Sequence, residues 1–196
     1  MRCRLPFAAR ARRIELLLLD VDGVMTDGRI IHVGRGDEAR CFDVKDGVGL
    51  WLARSQGLRT GIISGRASVT ALRRASELRM DEVHLEARDK LKVYERILAR
   101  RRLTDASICY VGDDLVDLPV LRRVGLPVAV ADAHPEILRR VPFVTEARGG
   151  RGAIREVIDA ILAAQGRWTA ILERFDPPRV RSGGGRARPA TRRRDR

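Results

Sequence analysis

Residues Leu16 to Gly28 constrain this chain most: four consecutive leucines run directly into Asp20-Val21-Asp22-Gly23-Val24-Met25-Thr26-Asp27-Gly28. An unbroken apolar run of strand length reads as a strand buried on both faces, and such strands belong to parallel sheets covered by helices. Ligands bind sheets of that kind at the carboxyl ends of the strands, where Asp20 and Asp22 fall. Gly23 suits the sharp turn that follows. Alone, the stretch supports two readings: a polar turn closing a strand, or a pair of carboxylates placed for chemistry.

Downstream, Arg29-Ile30-Ile31-His32-Val33 and Ala39-Arg40-Cys41-Phe42-Asp43-Val44 flank Gly34-Arg35-Gly36-Asp37-Glu38 and predict a hairpin, ended by Lys45-Asp46-Gly47. A helix is expected over Val48 to Ser55, with Gly57 as its stop. Leu58 to Ile63 reads as a second core strand ending at Ser64-Gly65-Arg66, and a helix from about Ser68 to Leu78 leads to a short strand at Glu82 to Leu85. Asp89-Lys90 opens a helix through Arg101, with Leu91, Tyr94, Ile97 and Leu98 at helical spacing. Ser107 to Val111 reads as a strand entering Gly112-Asp113-Asp114-Leu115-Val116-Asp117, followed by a helix over Leu118 to Arg123 and a strand over Leu126 to Val130. A short helix (Pro135 to Arg140), an edge strand (Phe143 to Thr145) and a closing helix (Ala153 to Gln165) complete the pattern. Alternation of strands and helices predicts an α/β fold with a doubly wound parallel sheet. The hairpin after the first strand is its one departure.

With 196 residues the chain suits one domain, and its formal net charge of +13 raises the question of a nucleic-acid partner. The distribution of charge argues against one. Met1 to Arg13 carries five arginines and no acid, and Arg179 to Arg196 eight arginines against one aspartate, so the ends hold about +12 of the excess. Residues 1–13 are expected to form a basic extension, residues 14–175 the folded domain, and residues 176–196, rich in Gly and Arg, a disordered tail. Cys3, Cys41 and Cys109 form no Cys-x-x-Cys pair and suit free thiols. His32, His84 and His134 stand apart from one another and read as structural. The basic start lacks an apolar run long enough for a signal peptide, and nothing approaches membrane-spanning length, so a cytoplasmic protein is expected.

The predicted strand and helix ends bring Asp20, Asp22, Ser64, Lys90, Asp113 and Asp114 to one edge of the sheet. Carboxylates gathered there repel one another unless a cation sits among them. Hard oxygen donors, few in number, favour Mg²⁺, which keeps several waters and often bridges a phosphate. A serine hydroxyl and a lysine ammonium suit the oxygens of a transferring phosphoryl group.

These residues resemble the four motifs of the haloacid dehalogenase superfamily: Asp20-Val21-Asp22-Gly23-Val24, Ser64 after Ile62-Ile63, Lys90, and Gly112-Asp113-Asp114 with Asp117. The resemblance implies that Asp20 is a nucleophile forming an aspartyl-phosphate, and that Asp22 protonates the leaving oxygen and then activates water. It implies a Mg²⁺ site at Asp20, Asp22 and Asp113, with Asp22 contributing through its backbone or a water. Ser64 and Lys90 would bind the phosphoryl group, and Asp114 and Asp117 would support the ligands.

Members of this superfamily usually carry a cap domain after the first or second motif. Here 41 residues separate Asp22 from Ser64 and 25 separate Ser64 from Lys90, too few for a cap. Phe42-Asp43-Val44-Lys45-Asp46-Gly47-Val48-Gly49, Ser64-Gly65-Arg66 and Gly149-Gly150-Arg151-Gly152-Ala153-Ile154-Arg155-Glu156 are also similar to the 3-deoxy-D-manno-octulosonate 8-phosphate phosphatase family, over roughly Ile14 to Gly166. This implies a capless, Mg²⁺-dependent homotetramer whose hairpins pack together. It also implies that Asp43, Val44, Lys45, Asp46, Gly47, Arg66, Arg74 and Lys90 contact a phosphorylated sugar acid, an anion that arginines bind bidentately. Trp51 stands where that family is expected to carry arginine, and Lys45 where arginine is common. A nine-carbon sugar acid phosphate therefore stays open as substrate. A receiver-like domain and a module binding nucleic acid or acidic partners through its arginine-rich ends are the alternatives to an enzyme.

Overall fold

The computed structural model describes residues 4–34 and 37–176. Cys3, the hairpin turn at residues 35–36 and the expected tail from residue 177 onward lie outside the described residues. The leucine run forms strand β1 (Leu16–Leu19), with every side chain buried. It pairs in parallel on one side with β4 (Arg59–Ile63), in register Leu16 to Arg59, and on the other with β6 (Ile108–Gly112), Leu16 to Ile108. An apolar strand in the middle of a sheet has no face left for water, which is why the run shows no alternation.

The six-stranded sheet has the order β5-β4-β1-β6-β7-β8, all pairs parallel, with β5 at Glu82–His84, β7 at Leu126–Ala129 and β8 at Phe143–Val144. The chain moves outward from β1 to β5 and then crosses back to β6. With right-handed crossovers, that reversal puts α2 (Val44–Ser55) and α3 (Val69–Glu77) on one face, and α4 (Lys90–Arg101), α5 (Leu118–Leu121) and α6 (Pro135–Arg140) on the other. Helix α7 (Ala153–Ala164) returns to pack on α2. The reversal between β1 and β6 is the crevice where a ligand belongs in such a fold.

Three expectations change. The second hairpin arm is β3 (Asp37–Ala39), antiparallel to β2 (Ile31–Val33), and it stops well short of Val44. Asp43 instead caps α2, accepting a hydrogen bond from the Lys45 amide at 2.6 Å, so the helix starts four residues early. The basic N-terminal stretch is no loose extension over residues 4–11, which form helix α1 (Arg4–Ala11). Phe7 and Ala11, one turn apart, are buried, and the Phe7 ring meets Phe143 edge-on at 5.3 Å while Arg10 reaches the Gly125 carbonyl. Beyond α7 an unassigned helix, α8 (Trp168–Phe175), lays Phe175 and Arg174 against Trp51, at 6.2 Å and 4.9 Å.

Candidate active site

Asp20 is the first residue past β1, and its amide donates to the Val111 carbonyl at 3.0 Å, continuing the ladder to β6. Its Oδ1 accepts from the Val21 amide at 2.7 Å and pairs with Lys90 Nζ at 2.8 Å. The chain then coils back, the Met25 and Thr26 amides both donating to the Val21 carbonyl. Gly23 has φ +87°, and a Cβ there would collide with the Asp113 carboxylate. Position 23 therefore needs glycine for two reasons, its backbone conformation and the space that Asp113 fills.

Lys90 opens α4, where Asp89 caps the helix by accepting from the Lys92 amide. Its ammonium is buried between Asp20 and Asp117, whose Oδ1 lies 2.7 Å away. Burial opposes that charge, but the two carboxylates outweigh it and hold the lysine pKa above its ordinary value. Asp117 also accepts the Tyr110 hydroxyl at 2.6 Å and the Asp113 and Asp114 amides at 3.0 and 3.3 Å. It fixes the strand-to-helix turn from which Asp113 projects. Asp114 caps that turn through the Leu115 amide and is itself exposed.

Oxygens of Asp20, Asp113 and Asp117 lie within 4.8 Å of one another. Asp117 has both oxygens committed to Lys90, Tyr110 and two amides, so Asp20 and Asp113 are the ones free to take a cation. Burial, reinforced by Asp117 and only partly offset by Lys90, pushes Asp20 up to about 6, and burial with Asp20 and Asp117 pushes Asp113 up to about 8. Asp113 Oδ1 is buried without a hydrogen-bond partner among the described residues. A hard divalent cation fits this set: it supplies the missing partner and reverses the repulsion. The Asp22 side chain is not part of the cluster. It turns to the opposite wall, 3.1 Å from Arg40 Nη1 and 3.9 Å from Arg66 Nε, so any share in a cation falls to its backbone or a water.

Asp20, Asp22, Ser64, Arg66, Lys90 and Asp113 meet around an open cleft of about 430 Å³. Ser64 is nearly fully buried at the end of β4, held by its amide to the His84 carbonyl, and its Oγ accepts from the Arg66 amide at 3.3 Å. The other substrate candidates are elsewhere. Asp46 accepts from the amides of Arg155 (2.8 Å) and Gly152 (3.3 Å), bracing the first turn of α7, and burial pushes it up to about 6. Arg74 lies over the Phe42 ring at 5.6 Å and against Gly47, paired with Glu77. Asp43 is spent on its cap, and Val44 and Lys45 face solvent outside the cleft. Within one chain, then, residues 43–47 and Arg74 do not reach the cleft, because α2 begins among the former and its first turn commits Asp43 to its own cap and Asp46 to α7, while Arg74 is held by Phe42 and Glu77.

Glu38, Arg40 and Arg88 are site residues that sequence reasoning missed. Arg88 lines the cleft, and Glu38 and Arg40 enter from the hairpin. Nothing in local spacing marks them, since Arg40 sits in what reads as a strand.

The haloacid dehalogenase-like hydrolase family pattern matches residues 82–158. The 3-deoxy-D-manno-octulosonate 8-phosphate phosphatase of Escherichia coli is 42% identical over 159 residues, covering 81% of this chain and 85% of the relative. The chain belongs to the 3-deoxy-D-manno-octulosonate 8-phosphate phosphatase family and is a phosphatase of haloacid dehalogenase type. The family's crystal structure from Yersinia pestis has a TM-score of 0.82 at 42% identity, covering 84% of this chain and 89% of that one. The Moraxella catarrhalis phosphatase, solved in complex with magnesium ion, phosphate ion and KDO, has a TM-score of 0.84 at 34% identity, covering 86% and 97%. No helix among the described residues is long and apolar enough to cross a membrane.

Proposed function

We propose that this chain hydrolyses the phosphate ester of a keto-deoxy sugar acid, 3-deoxy-D-manno-octulosonate 8-phosphate, through an aspartyl-phosphate on Asp20, with Mg²⁺ as cofactor. The observation that carries this reading is the placement of Asp20: at the end of the central strand, open to the cleft and paired with a buried lysine, with Asp22 two residues on facing the same space. The family relatives named above supply the substrate.

Asp20 Oδ attacks phosphorus while Asp22 gives a proton to the departing sugar oxygen, so the P–O ester bond breaks as the acyl-phosphate bond forms. Water then attacks phosphorus, Asp22 takes its proton, and Asp20 leaves as a carboxylate with release of inorganic phosphate. Lys90 holds Asp20 as the anion and, with Ser64, faces the phosphoryl oxygens. Asp20, Asp113 and the backbone of Asp22 would hold Mg²⁺, which lowers the repulsion between the nucleophile and the phosphate dianion.

We place the catalytic body at residues 14–175 and assign it to the cytoplasm as a homotetramer. The hairpin supports the assembly, because it exposes Ile31 and Val33 beside an uncapped site. A partner's hairpin over the cleft would close a site that one chain leaves open.

The test is phosphate release with Mg²⁺ from the eight-carbon sugar acid phosphate, a nine-carbon analogue, simple sugar phosphates and para-nitrophenyl phosphate. We expect the eight-carbon ester to give the highest kcat/KM. Preference for the nine-carbon ester would move the substrate. A long-lived phospho-Asp without turnover would indicate a receiver. Turnover by a chain ending at Phe175 separates the enzyme from a module acting through its arginine-rich tail.

A further inference from the structure

The hairpin does more than stand where a cap would be, because it delivers a buried cation to the cleft. Arg40 follows β3, and its side chain is fully buried, with Nη1 3.1 Å from Asp22 Oδ1 and Nη2 3.2 Å from Glu38 Oε2. Glu38 in turn accepts Arg66 Nη2 at 2.7 Å, while its backbone carbonyl accepts the Thr70 hydroxyl at 3.1 Å. Asp22 is thus faced by two guanidinium groups tied together through one carboxylate. Arg40 Nη1 and Asp22 Oδ1 approach closely without a linear hydrogen bond, and Arg40 Nε has no acceptor among the described residues. A buried guanidinium ordinarily has its donors filled. Here the open donors flank the carboxylate that must meet first the leaving oxygen and then the water.

We propose that Arg40 is a positioning residue for Asp22, its guanidinium holding Oδ1 so that the other oxygen stays aimed at the apical site across from Asp20. The inference deepens the phosphatase reading and rests on it. Arg40 pairs with Asp22 and Glu38, whereas Asp20 pairs with Lys90, so the effect of Arg40 follows Asp22. Formation of the aspartyl-phosphate from an ester with a good leaving group needs little help from an acid. Its breakdown by water needs Asp22 as base, and a poor alkoxide leaving group needs Asp22 as acid.

The experiment is rapid-quench and steady-state kinetics of Arg40→Met on para-nitrophenyl phosphate and on the sugar 8-phosphate. With the first, a burst of p-nitrophenolate near one equivalent is expected to persist at a rate within about threefold of wild type, while steady-state turnover falls about 100-fold, the scale of general acid–base help. With the sugar ester, the burst itself falls by a similar factor. Arg40→Lys, which keeps a cation but not the fork, is expected to recover about a tenth of the turnover with its burst intact. If burst and turnover fall by the same factor on both esters, or if Arg40→Lys turns over like wild type, the positioning role is overturned. Should Arg40→Met not fold, Arg40→Lys decides alone by the same comparison. Wild type that turns over neither ester overturns the phosphatase reading instead.

Discussion

Lys90 Nζ lies 2.7 Å from Asp117 Oδ1, and both side chains are buried. The pair joins the start of α4 to the turn after β6, and through Lys90 it reaches Asp20 at the end of β1. Three elements distant in sequence therefore meet on one ammonium.

Removing one partner from such a pair leaves an uncompensated buried charge. Asp117→Ala is expected to destabilise the fold by about 3–5 kcal/mol. It would also free the amides of Asp113 and Asp114 and the Tyr110 hydroxyl. Urea denaturation checks the magnitude, and a loss below 1 kcal/mol would contradict the burial.

Asp20→Asn keeps the shape of the proposed nucleophile and removes its charge. Turnover should fall by at least about 10³-fold with the circular dichroism spectrum unchanged. Retained activity would sink the assignment of the nucleophile.

Metal and protons compete at Asp20 and Asp113. Both carboxyls are held above their ordinary 3.8, at about 6 and about 8. A carboxyl raised on folding adds stability below the unfolded pKa and loses it as pH climbs through the folded one. The metal-free protein should thus weaken from about pH 4 to pH 8, and Mg²⁺ should restore most where both groups are ionised. At a hundredfold excess over Kd the gain is about 2.7 kcal/mol, a Tm rise of about 5–10 °C for a chain of this size. Thermal melts should show the rise shrinking toward pH 5 and vanishing in Asp113→Asn.

Ile31 and Val33 are each 49% exposed on the hairpin. Light scattering of the wild type should give close to four times the chain mass of 21.9 kDa. Ile31→Lys with Val33→Lys should dissociate the assembly and raise KM for the sugar ester more than for para-nitrophenyl phosphate, since the second needs only the cleft of one chain.

The sheet was legible in the sequence wherever periodicity or an apolar run was strong: β1, β4, β6, β7 and helices α3, α4 and α7 fall close to their expected bounds. It was misleading where a side chain found a local partner. Asp43 looked like strand and is a cap, and the arginines around Phe7 hid a helix because their charge outweighs two inward apolar groups in any composition count. Helix α8 went unassigned because its partner, Trp51, lies more than a hundred residues away in the chain.

What the sequence determined by itself is which polar groups gather: Asp20, Asp22, Ser64, Lys90 and Asp113 stand at strand and helix ends, and the order of a parallel sheet brings such ends to one edge. What only the tertiary structure decided is how each group is held. Asp117 as the hub, Arg40 and Glu38 arriving from the hairpin, and Asp46 turned to α7 depend on where side chains of distant segments meet in a packed interior. Spacing along the chain carries the period of a helix or strand, but it carries no record of which buried charge finds which partner.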